Sequence, residues 1–454
     1  MTLTPDARGL GRRLARDTLH AASGRAVSLA VWLFLAPVVL RGLGTDGFAV
    51  WSLFFALTGW LGAFDLGLGT GALRFVAAAR ARGDHAEAGE HATLALLGYA
   101  ALGLLWLALA PLVRAPVLEA LRIPAAVRPA AAFAFTAGAG VFALNGMANV
   151  TQLGLQACGR FDLANVVAVV VSLSQALGIV VALRLGAGLP GVVTASGVAW
   201  LAATVIGGVS LRAGVPDFHW ASPRASWRRA RDVLHFGGPL QLANALAVAH
   251  QQVDKLLLSR FVQLALATPY DLGLRLATVM SSLPQLLLVA VAPAAAALEA
   301  QGESERLRQL YRRSHRYVLA VTALPAAALI GAGPRLVAAW LGRPYPLAAL
   351  ATVGLTVAAV AAMSAATGQA VARAVNRTRL EAEFTGLTFA VHVVLGLALV
   401  PRFGLAGAVA ITAGANVIGA SWFALRLART LRWPVADTLV PALVASLAIA
   451  VGAL

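Results

Sequence analysis

The chain has 454 residues, of which 59% are hydrophobic and 12% charged, and its mean hydropathy is +0.79. A soluble domain carries roughly twice that share of charge, about 25%, so the composition excludes an ordinary soluble enzyme. The net charge of +17 does not make it a nucleic-acid binder, because basic residues in a membrane protein collect in cytoplasmic loops and set its orientation.

Apolar runs recur from Val27 onward, each long enough to cross a hydrocarbon core of ~30 Å as a helix. Backbone groups inside lipid must bond within their own segment, so these runs read as helices. The ten-residue alternation of barrel strands is not seen. Basic residues Arg8, Arg12, Arg13, Arg16 and Arg25 precede the first run, which is too long for a signal-peptide core and reads as a retained helix. Hydropathy predicts helices over about 24–42, 48–73, 92–113, 129–155, 165–185 and 190–211. A second set falls at about 235–257, 268–298, 317–341, 346–372, 382–400 and 405–426, and a thirteenth apolar run extends from Thr438 to Leu454. Pro37 in the first helix and Pro284 and Pro293 in the eighth each remove a helical hydrogen bond and permit a kink.

A cytoplasmic N-terminus puts 25 of the 36 basic residues in cytoplasmic segments, chiefly around Arg74–His91, Arg212–Asp232 and Arg306–Arg316. The chain also repeats itself. Arg41 and Trp51 correspond to Arg260 and Tyr270, and Ala81–Asp84 to Ala300–Glu303, all 219 positions apart. Arg184 and Gly186 correspond to Arg402 and Gly404 at an offset of 218. With six helices per half, both halves start on one side, so the repeat is parallel. The expected fold is an all-α integral membrane protein: about 12 core helices in two parallel-repeat six-helix lobes around a central cavity, with a possible thirteenth helix. The lobes are expected at 1–211 and 235–427, joined by a linker at 212–234 and followed by an accessory segment at 428–454.

No Gly-rich phosphate loop ending in Gly-Lys-Ser/Thr is present, the eight His are scattered, and the single Cys158 excludes an intrachain disulfide or a Cys-based metal cluster. Neither a cofactor nor a metal is expected, and motion must draw on an ion gradient, the membrane potential or use of the product.

The stretch Arg41-Gly-Leu-Gly-Thr-Asp-Gly-Phe-Ala-Val-Trp51 is followed by Asp65-Leu-Gly-Leu-Gly-Thr-Gly71, Arg74 and Ala81-Arg-Gly-Asp84. In the second half Asp254-Lys255-Leu256 precedes Tyr270 and Arg275. Over nearly its whole length the chain resembles the polysaccharide-flippase branch of the multidrug/oligosaccharidyl-lipid/polysaccharide (MOP) exporter superfamily, the O-antigen and exopolysaccharide translocases. The resemblance implies alternating access in the bacterial cytoplasmic membrane. It implies undecaprenyl diphosphate bearing an oligosaccharide as cargo, the cell-surface polysaccharide or lipopolysaccharide pathway as context, and polymerase and glycosyltransferases as neighbours in that pathway. No nucleic-acid partner is implied.

Polar residues inside helices are costly unless they meet a cavity or a partner. Asn145, Asn149, Gln152 and Gln156 form one stripe, Thr385, Thr388 and His392 a second, and Gln241, Asn244, Gln251 and Lys255 mark a third. Such walls suit a sugar, and the bland alternative is that small polar groups bind helix to helix. Arg25, Lys255 and Arg275 are the candidates for a diphosphate, because the resemblance implies a cationic cavity and the Arg fork matches phosphate oxygens. Each has a structural alternative: Arg25 as a topology anchor, Lys255 as a snorkelling cation, Arg275 as a partner of Asp271 one turn earlier. Asp65 and Asp254 are candidate coupling carboxylates, with structural pairing as the alternative.

Two other functions stay open on the sequence. An ion-coupled drug or metabolite antiporter of the same superfamily predicts a more acidic cavity. A membrane polysaccharide polymerase or ligase predicts a large outer loop, whereas the outer loops near Arg114–Arg128 and Ser259–Ala267 are short.

Overall fold

Helix is the only regular element among the described residues, as a backbone that must satisfy itself in lipid requires. The computed structural model describes residues 7–62 and 67–453; the side chains of 7–23, 25, 70, 232, 234–244, 246, 247 and 453 lie outside that description. Eight of the described helices are long and apolar enough to cross a membrane, or nine if one bent pair counts as a single span. The chain is an all-α membrane protein.

It divides into two units, Met1–Ala245 and Leu246–Leu454. The first holds α1 (Ala7–Gly62), α2 (Leu68–Ala81), α3 (His85–Ala120), α4 (Arg128–Ala157), α5 (Phe161–Arg184), α6 (Gly188–Gly214) and the short α7 (Pro223–Trp227). The boundary falls inside α8 (Ala230–Phe261). The segment before it packs on the first unit: Ala221 N donates to Thr93 Oγ1 at 3.1 Å and Arg229 Nε to Glu90 Oε2 at 2.8 Å. The second unit continues with α9 (Ala267–Ala300), α10 (Ser304–Gly331), α11 (Gly333–Leu341), α12 (Pro346–Ala374), α13 (Thr378–Leu431) and α14 (Ala436–Ala453).

Several helices outrun the apolar windows that predict them. α3 begins at His85 rather than near 92, because Asp84 caps it by accepting from Glu87 N at 2.8 Å. Only the turn Arg82–Asp84 then separates α2 from α3, so most of the expected loop Arg74–His91 is helical. The second predicted helix, 48–73, is the end of α1 plus the start of α2, which continues to Ala81. The ninth, 317–341, is two helices: α10 starts thirteen residues earlier, and α11 leaves it at 79°. Gly331, Gly333 and Pro334 at that corner combine low helix propensity with a missing N–H. Helical structure continues through Pro37, Pro284 and Pro293; the non-helical residue inside α1 is Gly44, at φ 70 and ψ −178.

The two units break their helices at corresponding places. Left-handed residues sit at Gly83 and Gly302, Arg122 and Gly342, Gly159 and Asn376, and Gly186 and Gly404. Each pair is separated by 217 to 220 positions, as the numbering shows. Helix neighbours agree as well: α4 packs on α2, α3 and α6, as α12 packs on α9, α10 and α13.

Gly44 offers a test of the backbone alone, since a Cβ there would meet nothing within 4 Å. Its dihedrals are accessible only to glycine, and a side chain costs about 1–3 kcal/mol. Gly44→Ala should lower the thermal midpoint of the purified protein by several degrees. Gly140→Ala, also in open space but at an ordinary helical position, should leave it unchanged or raise it. Equal midpoints for the two variants would refute the assignment.

Candidate functional site

In the second unit, α8 and α9 run through a shared apolar cluster that includes Leu257, Leu258, Tyr270, Ala277, Leu355 and Val409. Gly273 brings α9 against the backbone of α12, where a Cβ would stand 2.6 Å from Ala351 C and Thr352 N. That close approach seats the turn of α9 carrying Tyr270 and Asp271.

Two ionic groups lie side by side in this apolar frame. Asp271 is buried and bridges two cations: Lys255 Nζ is 2.5 Å from its Oδ1 and Arg275 Nε 2.7 Å from its Oδ2. The Lys255 side chain is 5% exposed and that of Arg275 17%. Lys255 is therefore held inside the unit rather than snorkelling, and the triad carries one excess positive charge.

The neighbouring residues on the same two helices build the second group. Asp254, fully buried, accepts from Tyr270 OH and from Thr412 Oγ1 at 2.9 Å. His392 Nε2 lies 2.8 Å from its other oxygen, and His392 Nδ1 lies 3.1 Å from His250 Nδ1. With Nε2–H donated to Asp254, His392 Nδ1 either accepts from His250 or donates to it. The chain Asp254–His392–His250 can thus hold one more proton without breaking a contact.

The sugar candidates separate. Asn145 and Asn149 bond to each other at 3.1 Å and line a cavity of about 330 Å³ in the first unit with Phe55, Tyr99, Phe142 and Trp200. Gln152 and Gln156 open instead on a smaller cavity of about 280 Å³ with Ser28 and Asn165. Thr385 is half-buried and Gln251 exposed. Thr388 is buried, donates to Phe384 O at 2.8 Å and lies against Gly419, so it packs helix to helix. Asp65 and the side chains of Arg25, Gln241 and Asn244 lie outside the description.

Sequence reasoning missed Tyr99, Trp200, His250 and Thr412. His250 stands one turn before Asp254 and could have been marked on that spacing. The other three reach their groups only through tertiary packing.

A sequence profile of a family described as polysaccharide biosynthesis protein matches residues 99–349, more than half of the chain. The chain belongs to this family. Comparison of the chain with curated proteins gives no match. Its fold is that of the MOP superfamily. A multidrug resistance MATE family transporter in an inward-facing conformation matches with TM-score 0.72 and 15% identity over 89% of this chain and 95% of that one. The lipid II flippase MurJ matches with TM-score 0.71 and 13% identity over 95% and 92%. A mutant form of the Vibrio cholerae MATE transporter VcmN matches with TM-score 0.69 and 18% identity over 94% and 98%.

The triad of this family member makes a charge-balance test. Asp271→Asn removes the carboxylate that Lys255 and Arg275 share, a loss of about 3–5 kcal/mol. Lys255→Met leaves Arg275 and Asp271 as a neutral pair and should cost much less. Thermal unfolding should rank them in that order, and Lys255→Met relieving part of the Asp271→Asn defect would confirm the shared origin. The reverse ranking would show that Asp271 does not serve both cations.

Proposed function

We propose that the chain moves an undecaprenyl-diphosphate-linked oligosaccharide across the bacterial cytoplasmic membrane by alternating access, for cell-surface polysaccharide synthesis such as O-antigen. The observation that carries this reading is the buried Lys255–Asp271–Arg275 triad, two cations on one carboxylate. A diphosphate is the complementary charge. An Arg inside a helix costs about 2.5–3.5 kcal/mol on insertion scales unless water or an anion meets it. Asn145 and Asn149 beside Tyr99 and Trp200 supply what a sugar needs, amides for hydroxyls and aromatic faces for the ring. The family match supports a polysaccharide cargo over a drug.

Asp254 and its imidazoles suit proton coupling. Counting Asp254 as ionised and both His as neutral, the two adjoining groups sum to zero: Lys255 and Arg275 against Asp254 and Asp271. One added proton makes the sum positive and favours an anion. Anion binding then favours the proton by the same factor.

The test is export of surface polysaccharide in a strain lacking its own flippase. Arg275→Ala should abolish export at normal expression. Arg275→Lys should restore it partly, since the charge remains but the fork is lost. Asp254→Asn should preserve binding of undecaprenyl diphosphate and remove its weakening at high pH. Full export by the alanine variant would overturn the cargo reading, and an unaltered pH profile in Asp254→Asn would overturn the coupling.

Orientation follows from the Arg distribution, with the turn after α2, the segment before α8 and the start of α10 on the cytoplasmic side. Single cysteines at Arg82, Arg224 and Arg306 in a Cys158→Ser background should resist an impermeant thiol reagent in intact cells and react after lysis. Cys158 itself is a poor reporter, because burial pushes its thiol above the ordinary range. Labelling of any of the three from outside would invert the topology.

A further inference from the structure

The second unit carries a groove of about 800 Å³ between α10 and α14, apart from the ionic groups above. Its walls are apolar along most of their length, with Leu319, Leu324, Val440 and Val444 among them. Leu324 is 80% exposed and Val444 60%, an unpartnered apolar trough on a membrane-embedded surface.

One end has a different character. Asp437 at the start of α14 is nearly buried and is held from α10 by Arg308 at 2.6 Å and Arg312 at 3.3 Å. His315 Nε2 lies 3.2 Å from Thr438 O and ties the same two helices. Two guanidiniums therefore share one carboxylate, Arg308 reaching Glu305 as well at 3.5 Å, and Arg316, exposed one turn further along α10, joins Arg312 in the groove lining. The described lining carries one net positive charge, Arg312 and Arg316 against Asp437, above an apolar trough with no other acidic residue.

We propose that the α10–α14 groove binds an anionic diacyl phospholipid of the surrounding bilayer. Its phosphate sits against Arg312 and Arg316, and an acyl chain lies along Leu319–Leu324 and Val440–Val444. Charge complementarity selects the occupant. A zwitterionic lipid brings its own cation to the Arg cluster, whereas phosphatidylglycerol or cardiolipin leaves the phosphate charge unopposed. The trough supplies the apolar surface that an acyl chain needs. On the orientation proposed above, the lipid comes from the cytoplasmic leaflet.

The full-length protein, purified in mild detergent, tests this by native mass spectrometry and thermal unfolding with added phosphatidylglycerol or phosphatidylcholine. The wild type should retain phosphatidylglycerol several-fold more than phosphatidylcholine and gain several degrees of thermal midpoint from it alone. Arg316→Ala should lose most of that selectivity, and Arg313→Ala, exposed on the same helix but outside the groove, should keep it. Ala448→Trp fills the trough without altering charge and should reduce retention of both lipids. Equal retention of the two lipids by the wild type, or unchanged selectivity in Arg316→Ala, would overturn the proposal. So would displacement of phosphatidylglycerol by equimolar undecaprenyl phosphate, which would make the groove a site for the carrier chain. None of these readouts involves transport, so their failure is distinguishable from failure of the cargo reading, which rests on Arg275.

Discussion

Asp254 and Lys255 are consecutive residues of opposite charge, both buried in a protein whose surroundings hold little water. A charge in that position is destabilising unless a counter-charge or several hydrogen bonds meet it. Successive residues on a helix point about 100° apart, so the two cannot use the same partner. Lys255 takes Asp271 on α9, and Asp254 takes Tyr270 on α9 together with His392 and Thr412 on α13. The pairings fix the rotation of α8 and α9 and the register of α13 against them. An apolar interface between Ala- and Leu-rich helices tolerates sliding, whereas this one specifies a single arrangement.

The same constraint explains how the groups differ in use. Asp254 spends its lone pairs on neutral donors and an imidazole, whose own protonation is adjustable. Asp271 is committed to two permanent cations. The two carboxylates therefore have different partners, although α8 and α9 bring them to the same place. Removing Asp271 unbalances the charge, whereas removing Lys255 leaves a neutral pair.

Much of the fold was legible because the apolar runs and the basic breaks between them report the solvent directly. Helix ends were less so, since α3 and α10 extend as amphipathic turns beyond the apolar window and end at caps such as Asp84. The break in α1 at Gly44 falls in the gap that hydropathy leaves between the first two predicted helices, and helical structure continues through Pro37. Within the site, Lys255 and Arg275 stood out as isolated charges in apolar sequence. Their partnership through Asp271 was half visible, since Asp271 and Arg275 are one turn apart while Lys255 comes from another helix. His392 and Asp254 are separated by 138 positions, and nothing local links them. Asn145 and Gln152 share a helix face, but the aromatic side chains that wall off Asn145 come from other helices, so one stripe became two cavities.

The matched left-handed positions bear on how the two halves diverged. Side chains along the helices have drifted until few identities remain between Gly83–Gly214 and Gly302–Leu431. Four inversions of backbone hand in each half keep within a few positions of one offset, whereas Gly44, Gly67, Gly188 and Arg432 have no counterpart among the described residues. A duplicated gene can exchange one apolar residue for another in small steps, but a chain reversal cannot move by one residue without rotating every side chain that follows by a third of a turn. The matched reversal points therefore shift by only a few positions in an otherwise freely rewritten text. In this chain the two halves are better aligned on residues that end their helices than on those that fill them.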